Sequence, residues 1–253
     1  MTGALVTGAS RGIGRATAIA LSERGERVAV HYGADSAAGQ ETLDLLHGSG
    51  HMLVAGDLSD PETARAVVEE ASRGLGQIDI LVNNAGIAPG PSTDHGVEST
   101  DYDAWQQRFA RMIDVDLTAP ANLTYLVARS LIARSAPGVI VNVGSRGAFR
   151  GEPDAPAYGA AKAGLHAFGQ SMAVALAPHG ISVASVAPGF IGTERQRDKL
   201  EGASGDALRA QSPFGRVGTA DEVASAILYL TSPGAQWASG AVLDLNGASH
   251  LRT

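Results

Sequence analysis

The sequence predicts a single α/β domain built on a doubly wound, mostly parallel seven-stranded sheet with helices on both faces. Short runs of Val, Ile and Leu alternate with longer amphipathic segments, and few of these runs alternate strictly between polar and apolar residues. Such runs are typical of parallel strands that are covered on both faces. Repeated strand–helix–strand units imply right-handed crossovers. No linker-like stretch divides residues 1–253, which predicts one domain.

The predicted elements follow one another along the whole chain. The seven strand candidates are Ala4–Thr7, Arg27–Tyr32, Met52–Ala55, Ile80–Asn83, Val139–Val143, Ser182–Val186 and Ala241–Leu245. The helical patterns are Ile13–Arg24, Pro61–Gly74 and Ala220–Leu230. The second of them begins at a Ser-Asp-Pro-Glu stretch, which supplies a capping residue and a first-turn proline.

Composition narrows the classes of function. The 253 residues are 44% hydrophobic, and the net charge is −7 without a basic block. We expect no nucleic-acid partner, because phosphate binding needs a positive surface. No apolar run is long enough to cross a bilayer, so we expect no membrane span. The chain has no cysteine and no histidine pair at metal-ligand spacing, so we expect no metal site.

The first predicted strand lies very close to Met1. This leaves no room for a charged segment, an apolar core and a cleavage site, which predicts a cytoplasmic protein. Two segments without periodicity, Ala88–Ser99 and Gly189–Gly218, follow strands of the predicted sheet. Ligands bind beyond the carboxyl ends of such strands, so we expect a rim and a substrate loop there, with ordinary surface connections as the alternative.

A glycine-rich turn, Thr7–Gly14, joins the first strand to the first helix. Glycines in this context let the backbone turn tightly and let a pyrophosphate approach the free N–H groups of the helix. The turn predicts a dinucleotide site, because its strand–turn–helix context favours this over a tight turn without a ligand.

Lysine occurs only at Lys162 and Lys199, and Lys162 lies four residues after Tyr158 in a segment of alanines and glycines. Residues four apart on a helix share a face. An ammonium at this position favours the phenolate and lowers a tyrosine pKa that is about 10 when free. The pair therefore predicts a proton-transfer site, with a surface contact as the alternative.

The motifs together resemble the short-chain dehydrogenase/reductase family, and within it the 3-oxoacyl-carrier-protein reductases. The resemblance rests on the glycine turn, Asp79–Gly86, Val141–Ser145, Tyr158-x-x-x-Lys162 and Pro188-Gly189, in the family's order. It implies a Rossmann fold, a nicotinamide cofactor and a catalytic set of Ser145, Tyr158 and Lys162. In the family the serine holds the substrate oxygen, and the lysine also bonds the nicotinamide ribose.

The resemblance also implies cofactor contacts at most of the strand ends. The residues expected to bind the cofactor are Gly8, Ser10, Arg11, Gly12, Ile13, Gly14, Tyr32, Asp57, Leu58, Asn84, Ala85, Gly86, Tyr158, Lys162, Pro188, Gly189, Ile191 and Thr193. Asp57 and Leu58 correspond to the adenine contact. In the family the segment that corresponds to Asn83–Gly86 lies beside the adenosine ribose, and Ile191 and Thr193 correspond to contacts with the carboxamide or a phosphate.

One residue departs from the family pattern. Asp116 stands where relatives have an asparagine that lines a water chain to the catalytic lysine. An ionised Asp116 accepts from such a water but cannot donate as an amide does. Its charge favours a protonated Lys162 and opposes a phenolate at Tyr158. We therefore expect a working relay with an alkaline-shifted oxidation, and a partly solvated bystander is the alternative.

The end of the second strand bears on the choice of cofactor. Tyr32 and Gly33 stand where NAD-dependent relatives carry a ribose-binding acid, and we interpret Asp35 as a helix N-cap. Arg11 offers a cation for a 2′-phosphate. The sequence therefore predicts NADP(H), with NAD(H) as the alternative.

The substrate is less well defined than the chemistry. The resemblance favours reduction of a 3-oxoacyl thioester, and a sugar or polyol dehydrogenase shares the same C-terminal motifs. A non-catalytic NADP(H) sensor and a sugar-nucleotide epimerase are further hypotheses. Arg129 and Arg134 suggest docking of an acidic acyl carrier protein, whereas Val174 replaces a frequent arginine. The family also implies a homotetramer.

Overall fold

The structure is a computed structural model that describes residues 2–194 and 200–252. Its seven-stranded sheet has the order β3-β2-β1-β4-β5-β6-β7, and every neighbouring pair is parallel. The strands are β1 (Gly3–Val6), β2 (Arg27–Tyr32), β3 (Met52–Ala55), β4 (Ile80–Asn83), β5 (Gly138–Val143), β6 (Ile181–Pro188) and β7 (Val242–Leu245). All seven predicted strands are confirmed.

Helices connect the strands on both faces of the sheet. The α-helices of the described residues are α1 (Gly12–Arg24), α2 (Ser36–Asp44), α3 (Pro61–Leu75), α4 (Tyr102–Ile113), α5 (Ala119–Ala133), α6 (Gly147–Arg150), α7 (Pro156–Leu176), α8 (Gly202–Ala210) and α9 (Ala220–Leu230). A π-helical turn, Asp114–Thr118, joins α4 to α5. The capping signals of α3 are confirmed, since Asp60 accepts from the Thr63 N–H at 3.0 Å.

Two apolar layers hold the sheet between the helices. Leu5, Leu81 and Ile140 face the layer beneath α3, α5 and α7, while neighbouring strand residues such as Val6 and Val82 face α1 and α9. Consecutive strand residues point to opposite faces, so a run of apolar residues supplies both layers. This is why the strands lack polar–apolar alternation.

The chain order reverses in space between β1 and β4, and the two sets of crossovers leave the sheet in opposite directions there. Such a switch point opens a crevice at the carboxyl edge of the sheet. The predicted substrate loop begins at this edge after β6. Its ends meet where Ile191 pairs with Gly218 as a parallel bridge, and α8 lies between them.

Candidate active site

A cleft of about 910 Å³ runs along the carboxyl edge of the sheet. It extends from the turn after β1 to the N-terminal half of α7, and both long loops contribute to its lining. The predicted site residues that line it are Gly8, Ser10, Arg11, Gly12, Ile13, Asp57, Leu58, Asn84, Ala85, Gly86, Asp116, Ser145, Tyr158, Lys162, Pro188, Gly189, Ile191 and Thr193. The fold therefore brings nearly all of them to one concave surface.

Two predicted cofactor residues lie outside that lining. The ring of Tyr32 packs on Gly39 of α2, where an added Cβ would lie 2.8 Å from the ring. Gly14 lies beneath the glycine turn, and a Cβ there would come within 2.3 Å of the Gly8 carbonyl oxygen. Gly14 thus permits the close approach of α1 to the turn, whereas the structure does not bring the Tyr32 side chain to the cleft.

The glycine turn is fastened to the neighbouring strand end. Thr7 Oγ1 accepts from the backbone N–H groups of Asn84 and Ala85, and Asn84 Nδ2 donates to the carbonyl oxygens of Thr7 and Gly8. Gly8 has a φ of +61°, and a Cβ there would lie 2.8 Å from the Cα of Ala85. Only glycine fits this approach without strain, so the turn is held open against β4.

The turn already binds a carboxylate. The Gly12 N–H donates to Glu194 Oε2 at 3.2 Å, and Thr193 packs against the Gly12 Cα. An anionic oxygen on a backbone N–H at the start of a helix occupies the kind of position that a phosphate takes. This contact shows that the turn of this chain accepts an anion, which fits the pyrophosphate of a dinucleotide. No motif in the sequence indicates this contact of Glu194.

His31 forms a bridge beneath the turn that sequence analysis did not find. Its Nδ1 accepts from the Gly8 N–H at 3.1 Å, and its Nε2 lies 3.1 Å from the Gly56 carbonyl oxygen. These two contacts require the neutral tautomer with the proton on Nε2. Burial lowers the pKa of His31 to about 4, and the bond to Gly56 opposes this shift. A neutral imidazole therefore joins the glycine turn to the end of β3.

The end of the cleft beside the ends of β2 and β3, where the resemblance predicts the adenosine, carries two exposed ion pairs. Asp35 caps α2 by accepting from the Ala38 N–H at 3.0 Å, which confirms its predicted role. Its other oxygen binds the Arg11 guanidinium. Asp57, at the end of β3, binds Arg111 at 2.9 Å. Neither pairing has a local signal in the sequence, because both join residues far apart in the chain.

Tyr158 and Lys162 lie one turn apart on α7, as predicted. Lys162 Nζ is 5.7 Å from the centre of the Tyr158 ring and donates to the Val143 carbonyl oxygen at 3.2 Å. Ser145 follows β5 and faces the same end of the cleft. The Ser145 side chain is a hydrogen-bond partner of Tyr158. The three predicted catalytic side chains are therefore adjacent.

Asp116 contacts Lys162 directly. Its Oδ1 lies 2.9 Å from Lys162 Nζ, its Oδ2 accepts from the Ile87 N–H at 3.0 Å, and its side chain is fully buried. It lies on the π-helical turn, a feature frequent at functional sites. A Cβ at Gly86 would be 2.6 Å from Asp116 Oδ1, so a glycine is needed for this approach. Asp116 is a buried ion partner and not a partly solvated residue.

The charges of this cluster act on one another. Burial raises the pKa of the Tyr158 hydroxyl, Lys162 and Ser145 lower it, Asp116 raises it again, and the net direction is upward. The expectation that Lys162 brings this pKa below its ordinary value is therefore not met, since burial and Asp116 outweigh it. Burial lowers the pKa of the Lys162 ammonium, but Asp116 and Tyr158 raise it by more, so that the net direction is upward. Lys162 is thus protonated at neutral pH.

His166 completes the face of α7 that carries Tyr158 and Lys162. Its imidazole packs on Gly144 and stacks with Phe149 at 5.3 Å between ring centres. Burial lowers its pKa to about 4. These contacts give His166 a packing role beside the cleft.

Comparisons with known proteins agree with the motifs. The family model described as enoyl-(acyl carrier protein) reductase matches residues 8–250. The chain is 38% identical over 248 residues to the 3-oxoacyl-(acyl-carrier-protein) reductase FabG of Vibrio cholerae, covering 98% of this chain and 97% of that protein. It is 34% identical over 250 residues to an L-rhamnose 1-dehydrogenase (NAD(P)(+)) of a Sphingomonas species, covering 98% and 95%.

A solved structure of another protein superimposes on the whole chain. Acetoin dehydrogenase YohF from Salmonella typhimurium superimposes with a TM-score of 0.85 at 28% identity, covering 100% of this chain and 99% of that one. In the described residues no helix combines the length and apolar character needed to cross a membrane. The protein is an oxidoreductase that acts on CH–OH or carbonyl groups with NAD(P)(H), and it belongs to the short-chain dehydrogenase/reductase family.

Proposed function

We propose that this protein interconverts a carbonyl and a secondary alcohol with NADP(H), and that Tyr158 moves the proton. The observation that carries the proposal is the adjacency of Ser145, Tyr158 and Lys162 at one end of a cleft whose other end is an anion-accepting glycine turn. When bound, the nicotinamide supplies or accepts the hydride. The remaining chemistry belongs to the side chains of the chain itself.

Each side chain has a distinct part in the proposed reaction. The Ser145 hydroxyl holds the substrate oxygen and donates to it as negative charge develops. Tyr158 gives its proton to that oxygen in reduction and takes it back in oxidation. Lys162 stabilises the phenolate that remains, and Asp116 keeps Lys162 charged. Asp116 acts through Lys162 and is therefore a positioning residue.

The first test replaces the hydroxyl of Tyr158. Tyr158→Phe keeps the ring, so turnover should fall by about 10²–10⁴-fold, the loss typical of a general acid. Cofactor affinity, measured by fluorescence titration, should barely change. Lys162→Arg should also fail, because a planar guanidinium does not replace a compact ammonium. Tyr229→Phe, at an exposed tyrosine of α9, is the control. Near-normal turnover of Tyr158→Phe would contradict the mechanism.

The preference for NADP(H) rests on Arg11, which lines the adenosine end of the cleft. Asp35 partly neutralises this guanidinium, so the expected preference over NAD(H) is moderate. Dissociation constants for NADPH and NADH measure it directly. Tighter binding of NADH would refute the preference and leave the mechanism untouched.

The substrate class remains open between a 3-oxoacyl thioester and a sugar or polyol. Both types of relative match over nearly the whole chain. Two observations disfavour docking of an acidic carrier protein: the exposed Val174 brings no charge where such reductases often carry arginine, and Arg134 already binds Asp79. A panel of carbonyl compounds with NADPH consumption as the readout separates these substrates. Cofactor binding without turnover on any of them would favour the sensor hypothesis.

The proposed homotetramer has support from apolar side chains on the long helices. Tyr125 of α5 and Val174 of α7 are both exposed in the single chain. Exposed apolar side chains on neighbouring helices are typical of surfaces covered by another subunit. Light scattering that gives the mass of a monomer would contradict this assembly.

A further inference from the structure

Two arginines lie directly beyond the catalytic serine. Arg146 follows Ser145 in the chain, and Arg150 ends the short helix α6. Both side chains line the cleft at its Tyr158 end. Arg146 is only 7% exposed, and its backbone N–H donates to the Pro188 carbonyl oxygen at 3.0 Å. Its position is therefore fixed by the ends of β5 and β6.

Both guanidinium groups converge on one neutral oxygen. Arg146 donates to Gln211 Oε1 and to Ser249 Oγ, and Arg150 Nη1 lies 3.4 Å from the same Gln211 oxygen. Within residues 2–194 and 200–252, neither guanidinium has a carboxylate at ion-pair distance. An amide oxygen thus stands between two cations, in a position that suits an oxygen with a full negative charge.

Other arginines near this end of the cleft are neutralised. Arg216 binds Glu222 at 2.6 Å, and Arg252 binds Asp244 at 2.7 Å. Glu152 also lines the cleft, so two guanidinium groups face one carboxylate there. Burial and the charge of Arg150 lower the pKa of Arg146, and Glu152 opposes this shift only in part. The substrate end therefore carries excess positive charge.

A buried charge is costly unless a partner of opposite charge compensates it. Guanidinium groups bind carboxylates and phosphates through paired N–H donors, so an arriving anion supplies the compensation that Gln211 gives only weakly. We propose that Arg146 and Arg150 select carbonyl substrates that carry a carboxylate or a phosphate. The anionic oxygen takes the place of Gln211 Oε1 between the two guanidinium groups. This inference rests on the proposed function and deepens it by naming the substrate class.

The first experiment compares matched pairs of substrates with NADPH and with NADH. Acetoacetate is compared with methyl acetoacetate, and dihydroxyacetone phosphate with dihydroxyacetone. In one of the two pairs the kcat/KM of the anionic member should exceed that of its neutral partner by at least about tenfold. The reason is that a hydrogen bond to an ionised group is stronger than one to a neutral group. The pair that shows the difference identifies whether the anionic group of the preferred substrate is a carboxylate or a phosphate.

Two results would count against different claims. Equal or better turnover of the neutral member in both pairs overturns the anionic substrate and leaves the carbonyl reaction standing. A complete lack of turnover on all four compounds and on the wider carbonyl panel refutes the proposed function, and the inference with it.

A charge-removing variant tests the residues themselves. Arg150 is exposed, so Arg150→Gln should fold normally. The ratio of kcat/KM between the anionic and neutral members should fall by about fivefold or more, mainly through KM of the anion. Arg73→Gln, at an exposed arginine of α3, is the matched control and should keep the ratio of the wild type. An unchanged ratio in Arg150→Gln overturns the assignment.

A charge-adding variant gives a readout that does not depend on turnover. Gln211→Glu places a carboxylate between the two guanidinium groups with almost no change of shape. The melting temperature should rise, and the preference for the anionic substrate should fall, because the variant supplies its own anion. Gln236→Glu, at an exposed glutamine, controls for the added charge. If Gln211→Glu changes neither the melting temperature nor the preference, the proposal is wrong.

Discussion

The Lys162–Asp116 pair near one end of the cleft and the Arg11–Asp35 pair near the other differ in their access to water. At the Tyr158 end the Lys162 and Asp116 side chains are 6% and 0% exposed, and beside the glycine turn the Arg11 and Asp35 side chains are 55% and 45% exposed. In water a pair of charges is screened and contributes little, whereas a buried charge depends on its partner. The buried pair should therefore contribute strongly to the stability of the fold, whereas the exposed pair should contribute little.

The local structure around each pair matches that difference. Asp116 is fixed by the Ile87 N–H, by the π-helical turn and by the absence of a side chain at Gly86. Asp35 lies at the start of α2, where solvent reaches both partners. The first pair needs three other features of the fold to form, and the second needs only two side chains of sufficient length. We expect substitutions at the two ends to differ accordingly.

The largest effect should come from breaking the buried pair. Asp116→Ala leaves the Lys162 ammonium buried without its partner, which should lower the free energy of unfolding by about 3–5 kcal/mol. Arg11→Ala, which breaks the exposed pair, should lower it by at most about 1 kcal/mol. Urea denaturation at neutral pH measures both. Equal losses in the two variants would show that burial does not distinguish these pairs.

A smaller effect is expected from the buried imidazoles. His31 and His166 have a pKa of about 4 in the folded protein and 6.5 when free. The unfolded chain therefore binds more protons between these values, so their contribution to stability is complete above pH 6.5 and is lost as pH falls toward 4. Each should account for roughly 2 kcal/mol of lost stability by pH 5.

The test compares His31→Asn with the wild type at pH 7.5 and pH 5. Asparagine keeps one donor and one acceptor but does not titrate, so the loss of stability on acidification should shrink by about half. His47→Asn, at an exposed histidine, is the control and should behave as the wild type does. If acidification destabilises His31→Asn as much as the wild type, the imidazole is not the group that titrates.

The elements and the placement of Tyr158 and Lys162 on one face of a helix could be predicted from sequence because they depend on local patterns. Apolar runs predict the strands, and the spacing of Tyr158 and Lys162 places them on one helical face. The contact between Arg11 and Asp35 depends on how β1 and β2 are paired, and the bridge at His31 depends on the approach of β3. Such contacts join residues that no local pattern connects.

The environment of Asp116 shows a second limit of sequence analysis. The departure from the family's asparagine marked the position as unusual, and its influence on Lys162 and Tyr158 was predicted with the correct sign. Its full burial and its direct contact with Lys162 were not predicted. They require Gly86 and the π-helical turn to lie on either side of it. A single residue type does not reveal how closely its neighbours approach.

A still smaller effect should appear in the pH dependence of oxidation. The charge of Asp116 raises the pKa of Tyr158. Asp116→Asn removes that charge while Lys162 remains a cation, so the rise of the oxidation rate with pH should occur at a lower pH than in the wild type. Activity should remain measurable. Profiles of wild type and variant that superimpose would leave Asp116 without influence on the proton transfer.

The smallest energy should belong to the exposed pair, and there it should appear as a choice between cofactors. Arg11 attracts a 2′-phosphate and Asp35 repels it, so the two residues should change the ratio of NADPH to NADH affinity in opposite directions. Arg11→Ala should reduce the ratio by about three- to tenfold, and Asp35→Asn, which retains an oxygen for capping α2, should increase it by a similar factor. Both changes should shrink as salt is added, because exposed charges are screened. Fluorescence titration at low and high ionic strength measures them. If the ratio moves in the same direction in both variants, the two charges do not act on the 2′-phosphate.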